Sequence, residues 1–234
     1  MSSNPFDAPR SSGAQYFNYK IKVEKSKHAQ PDTPKIVQRV REGDEYTTIE
    51  KQDPSTIKGW CVGAKYIKPN DPEQQGIIVL LLQHSKDPES PIAQLSCGAS
   101  GRFGTNMLTL LARGDKNGIL GKEILVRVWS VEDKANPKAK KKFGMTIYDL
   151  NQKNAEGKPL RLELTDDEFK KAQVAADQKR LVEWWDKNIS GIVAEFEKQH
   201  SAASTATAAL IDADDDFIEK KPAADPAPVD DLPF

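Results

Sequence analysis

Cysteine and histidine are scarce in this sequence of 234 residues, which has two cysteines and three histidines. Cys61 and Cys97 stand far apart without CxxC spacing, and the histidines are scattered along the chain. A structural zinc site needs such ligands grouped at short, regular spacings. The sequence therefore argues against a zinc-stabilised fold. We expect two small buried thiols in a reducing compartment, and neither a metal nor a cofactor.

Long apolar runs and export signals are also missing. The longest apolar run, residues 77–82, has the length of a strand, whereas a membrane-spanning helix needs about 18 or more apolar residues. Residues 1–13 lack the basic and apolar regions of a signal peptide. We therefore expect a cytoplasmic protein without a membrane partner.

The motifs of common enzyme classes are absent as well: there is no phosphate-binding P-loop, no HExxH and no GxSxG. The glycine-rich residues 98–104 precede a predicted helix, but they lack the lysine and the βαβ setting of a nucleotide site. Asp166, Asp167 and Glu168 resemble nuclease metal ligands. Acidic residues are also favoured at the start of a helix, where they interact with its dipole, and this role already explains all three. We therefore expect no catalytic residues and no enzyme activity.

Short segments of alternating polarity fill the first two thirds of the chain. Gly59 and Gly63 interrupt one segment, which is typical of a bulge or a bend. Another segment is apolar on both faces and predicts a central strand. One short helix is predicted at residues 105–113, with Thr105 as its N-cap and Gly114 as its end. Strands are predicted at residues 15–23, 35–41, 45–50, 57–67, 76–83, 92–97, 123–131 and 143–150.

The period of the apolar residues changes to about 3.6 after Thr165. Thr165 and Glu168 have the spacing of a capping box. A bend or break of the helix near residues 186–191 is left open. The apolar stripe that follows the box consists of Leu181, Trp185, Ile189, Ile192 and Phe196.

These patterns predict a mainly β protein, an OB-type antiparallel barrel with a C-terminal helical segment and disordered termini. A sandwich with a similar number of strands is the alternative. The predicted divisions are a disordered arm (1–14), the barrel domain (15–164), the helical segment (165–200), and a flexible linker with an acidic tail (201–234).

Charge is distributed unevenly, although the net charge of the chain is only -1. Residues 201–234 carry eight acids and two lysines, so the preceding 200 residues have a net charge of +5. A mildly basic body on an acidic tail favours a polyanionic partner for the body and a separate role for the tail.

Aromatic and cationic residues are interleaved along the predicted strands, as single-stranded nucleic acid binding requires. Trp129 is the best placed, because its face carries Arg127 and the opposite face is aliphatic. Alternation places Trp60 and Tyr66 on the same face of their predicted strand, and a place in the core is equally consistent with that face. Trp184 and Trp185 are expected to pack within the helical segment. The candidate DNA-binding residues are Tyr16, Lys20, Lys22, Trp60, Lys65, Tyr66, Lys68, Arg102, Phe103, Arg127, Trp129, Lys138, Lys140, Lys141, Lys142 and Phe143.

The last five residues are Asp230, Asp231, Leu232, Pro233 and Phe234, and they follow a low-complexity linker and an earlier acidic cluster. This tail resembles the C-terminal tail of bacterial and bacteriophage single-stranded DNA-binding proteins, the SSB family. The resemblance implies an OB-fold core that binds single strands without sequence preference. It also implies that the five tail residues recruit replication, recombination and repair proteins. The longer barrel region and the helical segment indicate a divergent version, such as a phage-encoded one.

The sequence thus predicts a single-stranded DNA-binding protein of the bacterial cytoplasm or of a phage-infected host. Such a protein coats and protects DNA in replication, recombination and repair. An accessory annealing or loading factor with an SSB-like tail is one alternative, and a metal-dependent nuclease or an RNA-binding chaperone are others. Homo-oligomer formation is left open. The acidic tail is also expected to fold back on the basic body and compete with DNA.

Overall fold

The computed structural model describes residues 16–24, 33–42, 45–50, 53–69, 76–87, 90–114, 118–131, 142–177 and 179–200. Nine strands in these ranges form one sheet. The strands are β1 (Tyr16–Glu24), β2 (Thr33–Glu42), β3 (Glu45–Glu50), β4 (Thr56–Ile67), β5 (Ile77–Gln83), β6 (Ile92–Gly98), β7 (Glu123–Val131), β8 (Lys142–Lys153) and β9 (Pro159–Arg161). The helices are α1 (Arg102–Leu111), α2 (Asp166–Asp177), α3 (Leu181–Trp185), a π-helical turn (Asp186–Ser190) and α4 (Gly191–Gln199).

The sheet is mixed and open, with the order β3-β2-β1-β6-β5-β4-β7-β8-β9. The pairing of β1 with β6 is parallel, and the other pairings between described strands are antiparallel. The sheet is rolled, so that β2 lies against β7 and β8. The Ile36 N–H donates to the Pro54 carbonyl at 2.6 Å, beside the Val128 N–H, which donates to the Ser55 carbonyl at 2.8 Å.

The prediction of a mainly β protein is confirmed, but the sheet is not the uniformly antiparallel one that we expected. Alternating polarity indicates which side chains point inward, whereas the neighbours and the direction of a strand depend on contacts between distant segments. The predicted strands occur within a few residues of the expected positions, and the hairpin of β2 and β3 is confirmed.

The core lies on the inner face of the rolled sheet. The alternation of β1 is confirmed, since Tyr19 and Ile21 are buried there while Phe17 and Val23 pack against the same core. Helix α1 covers this face with Met107, Leu108 and Leu111, each fully buried.

The start of α1 corrects the expected cap. The helix begins at Arg102 with Gly101 as N-cap, and Thr105 lies inside it, where its hydroxyl donates to the Gly101 carbonyl at 3.1 Å. A Cβ atom on Gly104 would collide with the Gly98 carbonyl oxygen. The glycines before and within α1 therefore permit a tight turn onto the sheet.

The helical segment packs on the same core as the sheet. Leu181, Trp185, Ile189 and Phe196 of the predicted stripe are buried, and Ile192 is partly buried beside them. The main helical axis breaks before residue 181, where Lys179 has a φ of 55°, and residues 186–190 continue as a π-helical turn.

The capping box at the start of α2 is confirmed. The Thr165 N–H donates to the Glu168 carboxylate at 3.1 Å, and the Glu168 N–H donates to the Thr165 hydroxyl at 3.4 Å. No helix within the described ranges is long and apolar enough to cross a membrane.

Candidate nucleic-acid interface

The side chains of β4, β7 and β8 that point away from the core form one surface, which we call the outer face. Directly opposed residues of antiparallel strands share a face, so the register defines its members. Val126 and Val128 on the alternate positions of β7 are buried, whereas Arg127 is exposed. The outer face consists of Thr56, Lys58, Trp60, Glu123, Leu125, Arg127, Trp129, Gly144, Thr146 and Tyr148.

Trp129 is held in a fixed position on the outer face. Its indole N–H donates to the Thr146 hydroxyl at 3.0 Å. Its ring lies so close to Gly144 that a Cβ atom on this glycine would be 2.5 Å from the Trp129 Cζ2 atom. The side chain is half-buried. An indole supported by the strand beneath it loses little conformational entropy when a flat ligand stacks on it.

Other cationic and aromatic side chains lie on the outer face: Arg127 is two residues from Trp129 on β7, and Lys58 and Tyr148 are both opposite Leu125. Arg127 and Lys58 are exposed, and Tyr148 is half-exposed on the neighbouring strand. Trp60 lies opposite Glu123, six residues along β7 from Trp129. At about 3.4 Å per residue the two indoles are separated by roughly 20 Å along the strand. A stacked nucleic acid strand rises about 3.4 Å per nucleotide, so the distance between the two indoles corresponds to roughly six nucleotide steps.

A β-bulge decides the position of Trp60. Cys61 is opposite Leu82, but Gly63 is opposite Leu81, so β4 has one extra residue here. The extra residue inverts the alternation. Trp60 therefore lies on the outer face, while Tyr66, an even number of residues away, points into the core.

A cation covers the ring of Trp60. The Lys86 Nζ atom, in the segment after β5, lies 4.2 Å from the ring centroid. This distance is typical of a cation–π contact. A base that stacks on this ring from the same side would have to displace the ammonium group, which would then be available to a phosphate.

The structure does not bring three of the predicted aromatic residues to the surface. Tyr66 stacks on Trp185 with ring centroids 5.9 Å apart, and burial raises its pKa. Phe103 is buried and packs against Phe143 with centroids 5.8 Å apart. These rings contribute to the core, so this arrangement does not support their expected stacking on bases. The expected packing role of Trp185 is confirmed.

The remaining predicted cations are dispersed, apart from Arg102, which lies beside Trp129. Lys20 and Lys22 lie on β1, on the same side of the sheet as the outer face but beyond the intervening strands β5 and β6. Lys65 lies near Glu197. Burial raises the pKa of the Glu197 carboxyl, and the charge of Lys65 offsets part of this rise. Lys68 is exposed just after β4. Arg102, the first residue of α1, is exposed.

Other predicted residues lie outside the described side chains. Tyr16 and Lys142 are the first residues of β1 and β8, and only their backbones are described. Lys138, Lys140, Lys141 and the tail residues Asp230, Asp231, Leu232, Pro233 and Phe234 lie outside the described residues.

Three residues near the tryptophans were not predicted from the sequence: Lys58, Lys86 and Tyr148. Tyr148 has the same phase as Thr146 and the opposite phase to the buried Met145 and Ile147, so the alternation of β8 could have identified it. The proximity of Lys86 to Trp60 depends on the path of a loop, which alternation does not reveal.

The acidic residues considered as metal ligands serve the helix start instead. Glu168 accepts hydrogen bonds from Arg113 Nε at 3.0 Å and Nη2 at 2.7 Å. These bonds, with one from the Thr165 hydroxyl, lower the pKa of Glu168 to about 2. In the part of the chain that the structure describes, no three His, Cys, Asp or Glu side chains are grouped to hold a metal ion.

Comparison with known proteins gave no relatives: no family model, no curated protein and no solved structure matches this chain.

Proposed function

We propose that this protein binds single-stranded DNA on its outer face. The observation that carries the proposal is the interleaving of Trp60, Trp129 and Tyr148 with Lys58 and Arg127 on one solvent-facing side of the sheet. Aromatic rings stack on bases and cations follow the backbone, and each stacked base contributes about 1 to 3 kcal/mol. No base identity is required for either contact.

The same features favour a single strand over a duplex. The bases of a duplex stack on one another and are not accessible to flat rings on a sheet surface, whereas those of a single strand are. The net charge of +5 over residues 1–200 adds attraction for phosphates. A rolled β-sheet with such a face is also consistent with an OB-type fold, which we retain as part of the proposal.

The C-terminal residues support a second part of the proposal. The tail resembles the SSB tail in Asp230, Asp231, Leu232, Pro233 and Phe234. We infer that these residues recruit replication, recombination and repair proteins, with the phenylalanine ring entering an apolar pocket and the two carboxylates meeting basic groups around it. In this account the protein is a non-enzymatic binding protein.

The function is tested by fluorescence anisotropy with labelled single-stranded DNA, duplex DNA and RNA of equal length, across a series of salt concentrations. We expect the single strand to bind more tightly than the duplex, with an affinity that falls as salt rises. Similar affinities for single strand and duplex would refute the stacking account. Tighter binding of RNA than of single-stranded DNA would favour an RNA-binding chaperone. Degradation of the labelled DNA on addition of Mg²⁺ would indicate a metal-dependent nuclease.

A double variant, Lys58→Ala with Arg127→Ala, locates the site. We expect weaker binding at low salt, because two phosphate contacts are removed. The matched control is Lys158→Ala with Lys187→Ala, two exposed lysines away from the outer face. Equal losses in both double variants would mean that the charge of the whole protein, rather than the outer face, holds the DNA. Strand-annealing assays on the same proteins separate a coating protein from an annealing factor.

A further inference from the structure

A cleft of about 520 Å³ opens beside Trp129. It follows the edge of β8 next to residues 144–147, because β9 pairs with β8 only from Tyr148 onward. Helix α1 forms one wall, where the Asn106 side-chain amide donates to the Met145 carbonyl at 3.3 Å. Residues 161–164 form the other wall, where the Leu162 N–H donates to the Ile147 carbonyl at 2.9 Å. Asp166 and Phe169 from the first turn of α2 complete the lining.

The lining of the cleft suits a flat, uncharged ligand with polar edges. Its apolar residues include Leu110, Leu162, Leu164 and Phe169. Its charged residues are two arginines and two carboxylates, namely Arg102, Arg161, Glu163 and Asp166. Since these charges balance, the cleft has no net attraction for a phosphate group. The lining combines apolar side chains with polar and charged ones, and the volume lies within the usual range of small-ligand sites, about 300 to 1,000 Å³.

We propose that one nucleobase of the bound strand leaves the outer face and inserts into this cleft. The inference rests on the proposed function and deepens it, since Trp129 belongs both to the outer face and to the lining of the cleft. A strand stacked on this indole can place its next base in the cleft, while its phosphates remain near Arg127. The cleft thus gives one position of the strand a different environment from the others.

Guanine is the base that matches the charged groups best. Arginine donates to the O6 and N7 acceptors of guanine, and carboxylates accept from amino groups of bases. Guanine carries both these acceptor atoms and an amino group, and the cleft is lined by two arginines and two carboxylates. Binding on the outer face is thus tolerant of sequence, whereas the cleft selects guanine at one position.

The test compares a thymidine oligomer of about 15 nucleotides, within the site sizes usual for such proteins, with the same oligomer carrying one central guanine. We expect the wild-type protein to bind the guanine oligomer at least about fivefold more tightly, the lower limit for one matched base contact. Leu164→Trp fills the cleft and should abolish this preference and weaken binding of both oligomers. Val174→Trp, at a half-exposed position on α2 outside the cleft lining, is the matched control and should behave as wild type.

A second variant protects the test against misfolding of Leu164→Trp. The Arg161 side chain is 59% exposed, so Arg161→Ala should fold and should lower the affinity for the guanine oligomer more than the affinity for the thymidine oligomer, which removes the guanine preference. Equal binding of both oligomers by the wild type, with no change in Leu164→Trp, would overturn the inference and leave the proposed function intact. Absence of binding to any oligomer would refute the proposed function itself, and the inference with it.

Discussion

Replacement of Trp129 by alanine removes the indole that the structure fixes on the outer face. The ring lies across Gly144, and its N–H donates to Thr146 at 3.0 Å. One stacked base contributes about 1 to 3 kcal/mol, so the dissociation constant for single-stranded DNA should rise about 5-fold to 140-fold. The assay is a titration of labelled single-stranded DNA at low salt, followed by anisotropy.

Two further variants separate the stacking from the structural contacts of the indole. Trp129→Phe keeps an aromatic ring but loses the hydrogen bond to Thr146, so its affinity should lie between wild type and alanine. Ile49→Ala removes a half-exposed apolar side chain on β3, away from the outer face, and should bind as wild type. Thermal unfolding of each variant reports whether the fold is retained. Wild-type affinity in a folded Trp129→Ala variant would refute the reasoning.

Further predictions concern charge, packing, pH and the tail. Arg127→Ala should reduce the slope of log affinity against log salt by about 0.7, the value for one phosphate contact with a single strand, which a salt series measures. Gly144→Ala should weaken DNA binding about as much as removal of the indole, since its methyl group would lie 2.5 Å from a Trp129 ring carbon; a wild-type dissociation constant would contradict this. The pKa of Glu168 is lowered from 4.5 to about 2 by hydrogen bonds from its arginine partner. The charged carboxylate therefore stabilises the fold above about pH 4.5 and ceases to do so as the pH falls towards 2. Thermal unfolding should accordingly show a smaller acid-induced loss in Glu168→Gln than in wild type. Deletion of residues 212–234 should tighten DNA binding at low salt and abolish recruitment of partner proteins; an unchanged affinity across a salt series would refute self-competition by the tail.

Local patterns were sufficient for much of the fold. The alternation of β7 predicts its boundaries and its buried valines, because a strand with one buried face must repeat every two residues. The capping box at Thr165 and Glu168 predicts the start of α2, because its hydrogen bonds join residues three apart. Both features depend only on neighbouring residues.

Features that depend on distant contacts were not predictable. The parallel pairing of β1 with β6 joins segments more than seventy residues apart, and nothing in the alternation of either strand specifies it. The bulge near Gly63 reverses the faces of Trp60 and Tyr66, and glycine spacing indicates a bulge without fixing its register. The position of Phe103 beside Arg102 predicts a binding residue, but Phe103 lies within α1 and is buried.

The candidate site was partly predictable for the same reason. Arg127 and Trp129 could be identified from a single strand, since both lie in one alternating segment. The placement of Lys58 and Tyr148 on the same face comes from the pairing of β4 and β8 with β7. The cleft beside β8 requires α1 and residues 161–164 to meet across the sheet edge, which no local pattern indicates.

The measurement that tests the central claim most directly is ultraviolet cross-linking of the full chain to single-stranded DNA that carries 5-iodouracil, followed by mass spectrometry of the cross-linked peptides. We predict cross-links to Trp60, Trp129 and Tyr148, which compete with unlabelled single strand and not with duplex. Cross-links confined to β2 and β3 or to residues 166–199, or none at all, would contradict the assignment of the outer face as the DNA-binding surface.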